Sequence, residues 1–243
     1  MSLKIIVNGA LGRMGIMTAT TIEKHREFEL VAKLSKDDDL YGAIQKTKAD
    51  IVIDFTLAST VYENTKAIIT AGAHPVIGTT GLTHEQIQEF QKMCHDKKLG
   101  GVIAPNFSLG AVLMMKYASD AAKYLSQVEI IEFHHDGKED APSGTALRTA
   151  ELISKNLSNK TFLKAKKENL PGSRGANAHN IPIHAVRLPG FVASQQVIFG
   201  NTGETLKISH DTINRECFMP GIVLACQKVT QLKELIVGLE NIL

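Results

Sequence analysis

Leu3-Lys4-Ile5-Ile6-Val7-Asn8-Gly9-Ala10-Leu11-Gly12-Arg13-Met14-Gly15 is a short apolar run that breaks into glycines spaced three apart. A run of this length without alternation predicts a strand buried on both faces. The glycines stand where that strand turns into a helix, which the pattern carries to about His25. Glycine at such a turn permits the tight reversal, close backbone approach to a pyrophosphate, and helix-on-strand packing. The helix start then offers free N–H groups and the positive end of its dipole to phosphates. The spacing is G-x-x-G-x-x-G rather than the commoner G-x-G-x-x-G, so an ordinary glycine-rich turn is the competing reading. The chain that follows favours nucleotide binding.

Phe28 to Leu34, Ile51 to Phe55, Pro75 to Ile77 and Gly101 to Ala104 repeat the buried-strand pattern. Helical segments lie between them. Ser59 is placed to cap one that stops at Gly72, and Thr83-His84-Glu85-Gln86 has capping-box spacing ahead of another. Repeated strand–helix–strand units predict an α/β domain, a Rossmann-like, doubly wound parallel sheet. The rhythm changes after Asn106. A helix from Leu109 to Leu125, a strand from Val128 to His134 and a helix from Gly144 to Asn156 are expected. Residues 158–180 are rich in Lys, Asn and Gly and read as a long loop, with Lys164 to Lys167 as solvated surface. Ile181 to Leu188, Gln195 to Phe199 and Thr205 to His210 alternate, which predicts a smaller α+β domain whose mixed sheet is covered on one face. Arg215 to Leu243 reads as helix with a break near Thr230, and its return would make the first domain discontinuous. The expected domains are 1–105 with 216–243, and 106–215.

At 243 residues the chain fits one or two domains at about 150 residues each. Its 44% hydrophobic and 21% charged residues are globular usage, which excludes a disordered or fibrous chain. A net charge of +2 provides no global field for nucleic acid or an anionic membrane. No apolar run reaches the ~18 residues of a bilayer span. Met1-Ser2-Leu3-Lys4 runs straight into a strand with no signal-peptide pattern, so a cytoplasmic protein is expected. Cys94, Cys217 and Cys226 are too scattered for a disulfide framework or a zinc knuckle.

Ribose selectivity is usually set about twenty residues past the last glycine, at the end of the second strand. Leu34-Ser35-Lys36 stands there, with Asp37-Asp38-Asp39 just beyond. A hydroxyl and a cation suit a 2′-phosphate, so NADPH is expected in preference to NADH.

The most specific stretch is Glu132-Phe133-His134-His135-Asp136-Gly137-Lys138-Glu139-Asp140-Ala141-Pro142-Ser143-Gly144-Thr145-Ala146. Consecutive strand residues face opposite ways, so His134 and His135 share a site only if the strand has ended. No third ligand has metal-binding spacing, and no metal is expected. Pro142-Ser143-Gly144-Thr145 looks like a helix start suited to an anion. Lys138 adds a fixed cation, and a histidine that titrates near neutral pH can deliver a proton.

With Val52-Ile53-Asp54-Phe55-Thr56, Gly78-Thr79-Thr80-Gly81 and Ala104-Pro105-Asn106-Phe107-Ser108, these runs resemble the 4-hydroxy-tetrahydrodipicolinate reductase (dihydrodipicolinate reductase) family of lysine and diaminopimelate biosynthesis. The resemblance spans nearly the whole chain and implies reduction of 4-hydroxy-tetrahydrodipicolinate with loss of water. It implies that Gly9, Ala10, Leu11, Gly12, Arg13 and Met14 hold the cofactor pyrophosphate, with Ser35 and Lys36 near the adenosine ribose. Phe55, Gly78, Thr79 and Thr80 would line the cofactor channel, and Ala104, Pro105, Asn106 and Phe107 would lie close to the nicotinamide. His134 would be the proton donor or acceptor and Lys138 the second proton donor. His135, Gly144 and Thr145 would bind the carboxylates of a small dicarboxylate substrate, with Ser143 beside them. The implied fold joins a dinucleotide-binding domain to a smaller substrate-binding domain that builds a homotetramer. The chain departs from the family where Ser35 replaces a common acid, and where Ala193-Ser194-Gln195 replaces Gly-Glu-His.

Two other readings compete. An aspartate-semialdehyde dehydrogenase needs a cysteine nucleophile beside a base. Cys94, Cys217 and Cys226 all fall in expected helices. A nucleotide-sensing module would keep Gly9 to Gly15 but would have no use for His134 and Lys138.

Overall fold

The computed structural model describes residues 2–157 and 167–243, so of the Lys164–Lys167 run only Lys167 is among the described residues. In chain order the elements are β1 (Leu3–Asn8), α1 (Arg13–Lys24), β2 (Phe28–Leu34), α2 (Leu40–Thr47), β3 (Ile51–Asp54), α3 (Val61–Ala71), β4 (His74–Ile77), α4 (His84–Lys97) and β5 (Gly101–Ile103). There follow α5 (Leu109–Ala121), β6 (Gln127–His134), α6 (Gly144–Asn156), β7 (Ala176–Ala178), β8 (Ile181–Arg187), β9 (Ala193–Asn201), β10 (Glu204–Thr212), α7 (Met219–Val229) and β11 (Leu235–Val237). Two compact units result: Met1–Ser108 with Arg215–Leu243, and Leu109–Asn214.

The first unit is a six-stranded parallel sheet in the order β11-β5-β4-β3-β1-β2, with helices between successive strands. The order reverses at β1, which pairs β2 on one side and β3 on the other. Ligands of open α/β sheets gather at that switch point, beyond the strands' carboxyl ends. Ile6, Val52, Ile77 and Phe90 belong to the core that holds the sheet against its helices. The capping box before α4 is present, with the Thr83 N–H donating to Gln86 Oε1 (2.9 Å) and the Gln86 N–H to Thr83 Oγ1 (3.3 Å). Ser59 is not the cap of α3. A turn in which Thr60 and Val61 N–H both donate to the Leu57 carbonyl leads into the helix, so Thr60 becomes the N-cap and its side chain makes no cap bond.

The tail also differs from expectation. Leu235–Val237 is a strand, not helix: it pairs in parallel with β5, Leu235 opposite Gly101, and completes the sheet. A three-residue apolar run fits either state locally; the unpaired edge of β5 decides it.

The second unit is a five-stranded mixed sheet in the order β10-β9-β6-β8-β7, in which only β6 and β8 run parallel. Along β6, Val128, Ile130 and Glu132 point to the covered face, opposite Phe199, Val197 and Gln195 of β9. The helices α5 and α6 pack on that face, with Ala146, Ala150 and Ile153 of α6 buried. The helix α5 ends at Ala121 and a turn carries the chain on to Leu125, while the short β7 lies within the span expected to be loop. A buried carboxylate, Glu132, thus sits in line with apolar core residues.

Candidate active site

The glycine loop is built by sterics. Gly9 has φ +79°, and a Cβ there would lie 2.4 Å from the Phe55 carbonyl oxygen; a Cβ on Gly15 would lie 2.1 Å from the Gly9 oxygen. Gly12 has room by comparison, its Cβ meeting only the Gly9 oxygen at 3.3 Å. Gly12 is the N-cap of α1 and no side chain caps this helix. The first-turn N–H groups therefore have no side-chain acceptor, which fits a pyrophosphate. Leu11 is 78% exposed on the loop, and Arg13 is exposed beside it. Ala10 is buried, and Met14 is half-buried.

A cleft of about 420 Å³ opens beyond the ends of β1, β2 and β3, lined by Gly9, Gly12, Ser35, Lys36, Asp38 and Phe55 among others. Its floor is organised by Asp54, buried at the end of β3. The Asp54 carboxylate accepts from Asn8 Nδ2 (2.9 Å), Asn64 Nδ2 (3.0 Å), Thr79 Oγ1 (2.6 Å), Thr56 Oγ1 (2.8 Å) and the Thr56 N–H (3.2 Å). One carboxylate thus positions the β1, β3 and β4 ends together. Phe55 meets Phe107 edge to face with centroids 5.9 Å apart, and Gly78 leaves space for the Phe55 ring, which a Cβ would strike at 2.1 Å. Ala104 is buried, its N–H donating to the Ile77 carbonyl. Asn106 Oδ1 accepts the Ser108 N–H, and Thr80 and Pro105 are exposed.

At the β2 end the acid is not absent but displaced. Asp38 Oδ2 accepts both the N–H and the hydroxyl of Ser35. The backbone bond and then the hydroxyl hold the Asp38 carboxyl below its ordinary range. Asp39, next in line, caps α2 by accepting the Gly42 N–H.

In the second unit β6 ends at His134, so His135 is the first residue past the strand and escapes its alternation. Glu132, two residues before His134, points to the same side. Its Oε2 lies 2.5 Å from His134 Nδ1 and 2.8 Å from Arg187 Nη1; its Oε1 accepts from Arg187 Nη2 (2.8 Å) and the Ser143 N–H (3.2 Å). Burial pushes the Glu132 carboxyl up, but Arg187 and His134 outweigh it and hold the group below its ordinary value. Burial also pushes the His134 imidazole down, assisted by the Lys138 and Arg187 charges and opposed by Glu132. The loop closes on itself where the Lys138 N–H donates to the His135 carbonyl, and Lys138 Nζ pairs with Asp140 Oδ1 at 2.5 Å. Ser143 is the N-cap of α6, its Oγ accepting the Ala146 N–H, and a Cβ on Gly144 would meet nothing within 4 Å. Among the described residues no cluster of three or more His, Cys, Asp or Glu is arranged to hold a metal. None of their helices is long and apolar enough to cross a membrane.

Family models for the N-terminus and C-terminus of dihydrodipicolinate reductase match residues 3–107 and 110–243. This chain belongs to the dihydrodipicolinate reductase family. The 4-hydroxy-tetrahydrodipicolinate reductases of Legionella pneumophila (strain Philadelphia 1) and Coxiella burnetii (strain RSA 493) are 58% and 51% identical to it, each over the full length of both chains. A solved structure, dipicolinate-bound dihydrodipicolinate reductase from Paenisporosarcina sp. TG-14, superposes with a TM-score of 0.91 at 40% identity, covering both chains completely.

Within this reductase fold, several residues escaped the sequence reading. Glu132 carries a signal in the sequence, falling in phase with the inward Val128 and Ile130 as an acid at a core position. Asp54 lies inside the Val52–Thr56 run, yet nothing local in the sequence reveals its donors. Arg187 ends an ordinary alternating strand and is brought to His134 only by the parallel register of β6 and β8.

Proposed function

We propose that this chain catalyses the NAD(P)H-dependent reduction of 4-hydroxy-tetrahydrodipicolinate to tetrahydrodipicolinate, with loss of water. The observation that carries the reading is the single loop that joins His134, Lys138 and the N-terminus of α6. When bound, the reduced nicotinamide supplies a hydride to C4 of the ring after the 4-hydroxyl has left as water. The residues of the glycine loop fit such a dinucleotide, because Gly9 and Gly15 let the turn fold tightly on backbone, Gly12 stays open at its tip, and the α1 end lacks a side-chain cap.

The net reaction consumes one proton. Loss of water puts one proton on the leaving 4-hydroxyl and releases one from the ring, and hydride addition at C4 is completed by one proton to the ring. His134 Nδ1 is turned to Glu132, so Nε2 donates the ring proton, and Lys138 Nζ, the second donor, protonates the leaving hydroxyl. The α6 N-terminus at Gly144 and Thr145, with His135 and Lys138, holds the substrate carboxylates, and Ser143 shapes that end by capping it. A dicarboxylate in this role agrees with the dipicolinate named for the Paenisporosarcina enzyme.

The first unit is the dinucleotide-binding part, with Gly9 to Met14 at the pyrophosphate and Phe55, Gly78, Thr79, Thr80 and Ala104 to Phe107 along the channel. NADPH is preferred through Lys36, since the Ser35 hydroxyl is already committed to Asp38. The second unit binds substrate and assembles a cytoplasmic homotetramer. The second sheet supports that assembly, for its uncovered face carries Ile131, Pro182 and Ile198 around a shallow cleft. The test is nicotinamide oxidation with substrate made in place by the synthase from pyruvate and aspartate semialdehyde.

A further inference from the structure

Glu132 is a carboxylate with no exposed surface, and the reaction assigned above gives it no proton to move. A buried ion pair is weak evidence for stability, because desolvation offsets most of the attraction. Its connections point elsewhere. Through its four contacts Glu132 meets the end of β6 at His134, the end of β8 at Arg187 and the cap of α6 at Ser143. Arg187 extends the set, Nη2 also donating to the Asp140 carbonyl (2.8 Å), while the Asp140 side chain holds Lys138 Nζ. His134, Lys138 and the Ser143 cap are therefore tied, directly or through Asp140, to one carboxylate–guanidinium pair.

We infer that Glu132 and Arg187 are the positioning pair of this site. The carboxylate fixes the His134 ring with Nδ1–H toward Glu132 and Nε2 toward the substrate, and the guanidinium fixes the carboxylate from its other side. The fork of Arg187 suits this task, since it engages both carboxylate oxygens and cannot lose its charge. The carboxylate also opposes the downward push of burial on the imidazole, keeping a protonated donor accessible closer to neutral pH. This inference rests on His134 being the proton donor of the proposed reduction.

The test compares wild type with Glu132→Gln, which keeps the shape and removes the charge. Expected are a fall in kcat of at least about tenfold and an alkaline limb of kcat/KM displaced about one pH unit or more toward acid. The circular dichroism spectrum and the fluorescence-measured dissociation constant for NADPH stay unchanged, which together a general loss of structure would not allow. A folded variant whose limb stays at the wild-type position overturns the inference. Nitrogen-15 NMR of the wild-type imidazoles provides a second reading that needs no variant and no turnover. It should find neutral His134 as the Nδ1–H tautomer; the Nε2–H tautomer overturns the pairing. Wild-type enzyme with no synthase-dependent turnover would instead remove the reductase reading, and the NMR result would still decide the geometry.

Discussion

The Ser35 hydroxyl and N–H both donate to one oxygen of Asp38, at 2.9 and 2.7 Å. The hydroxyl expected to receive a 2′-phosphate is thus tied to a carboxylate that lines the same cleft, beside Lys36. Opposite charges on neighbouring residues make the proposed preference for NADPH a balance. Asp38→Asn should raise the NADPH-to-NADH affinity ratio about 3- to 10-fold, and Lys36→Ala should lower it by a similar factor, both most clearly at low salt. Titrations of each dinucleotide by fluorescence check this. Unchanged ratios in both variants would place the selectivity elsewhere.

The glycines separate by function. Gly12→Ala should fold with a melting temperature near wild type, because its Cβ meets only one atom, at 3.3 Å. It should bind dinucleotide about tenfold more weakly or worse, by standing where the pyrophosphate approaches. Gly9→Ala and Gly15→Ala drive a Cβ within 2.4 and 2.1 Å of backbone oxygens and should cost about 1–3 kcal/mol each. Calorimetry beside binding assays tells the two classes apart.

Asp54 gathers donors from Asn8, Thr56, Asn64 and Thr79 with no exposed surface of its own. Asp54→Ala strands those donors and should cost about 3 kcal/mol or more, lowering the melting temperature by roughly 6–12 °C. Dinucleotide affinity should fall with it, because Thr79 and the Phe55–Thr56 segment lose their anchor. A variant that melts like wild type would show that the network is incidental.

His134 and Lys138 should separate binding from turnover. Replacing His134 by Gln or Lys138 by Ala is expected to lower kcat about 10²- to 10⁴-fold while leaving the NADPH dissociation constant intact. Burial, first, and then the nearby cations hold the His134 pKa below its ordinary 6.5. A donor must be protonated, so kcat/KM should fall as pH rises through a limb that lies below 6.5. A limb above that value would mean that another group supplies the proton.

Most strands of both units were legible because their signals are local, although β7 and β11 were not. Phe28–Leu34 and Gly144–Asn156 coincide with β2 and α6, since each has a clear period and clear ends. Leu235–Val237 was not legible, because its state is set by the free edge of β5, far away in sequence. The same distinction holds at the site. The loop from His134 to Thr145 announced itself by its residue types, whereas Arg187 reaches it only through strand register. Gln195, at the end of the replaced Ala193-Ser194-Gln195 segment, faces inward from β9 and donates to Thr149 Oγ1 of α6 at 2.7 Å, a buried link between sheet and helix.

The central claim is a reduction that uses His134 and Lys138, and the most direct test is the synthase-coupled assay on wild type, His134→Gln and Lys138→Ala with NADPH and NADH. The predicted result is synthase-dependent nicotinamide oxidation by wild type, faster with NADPH, and its near-complete loss in both variants at unchanged cofactor affinity. Tight dinucleotide binding by wild type without synthase-dependent oxidation would contradict the account.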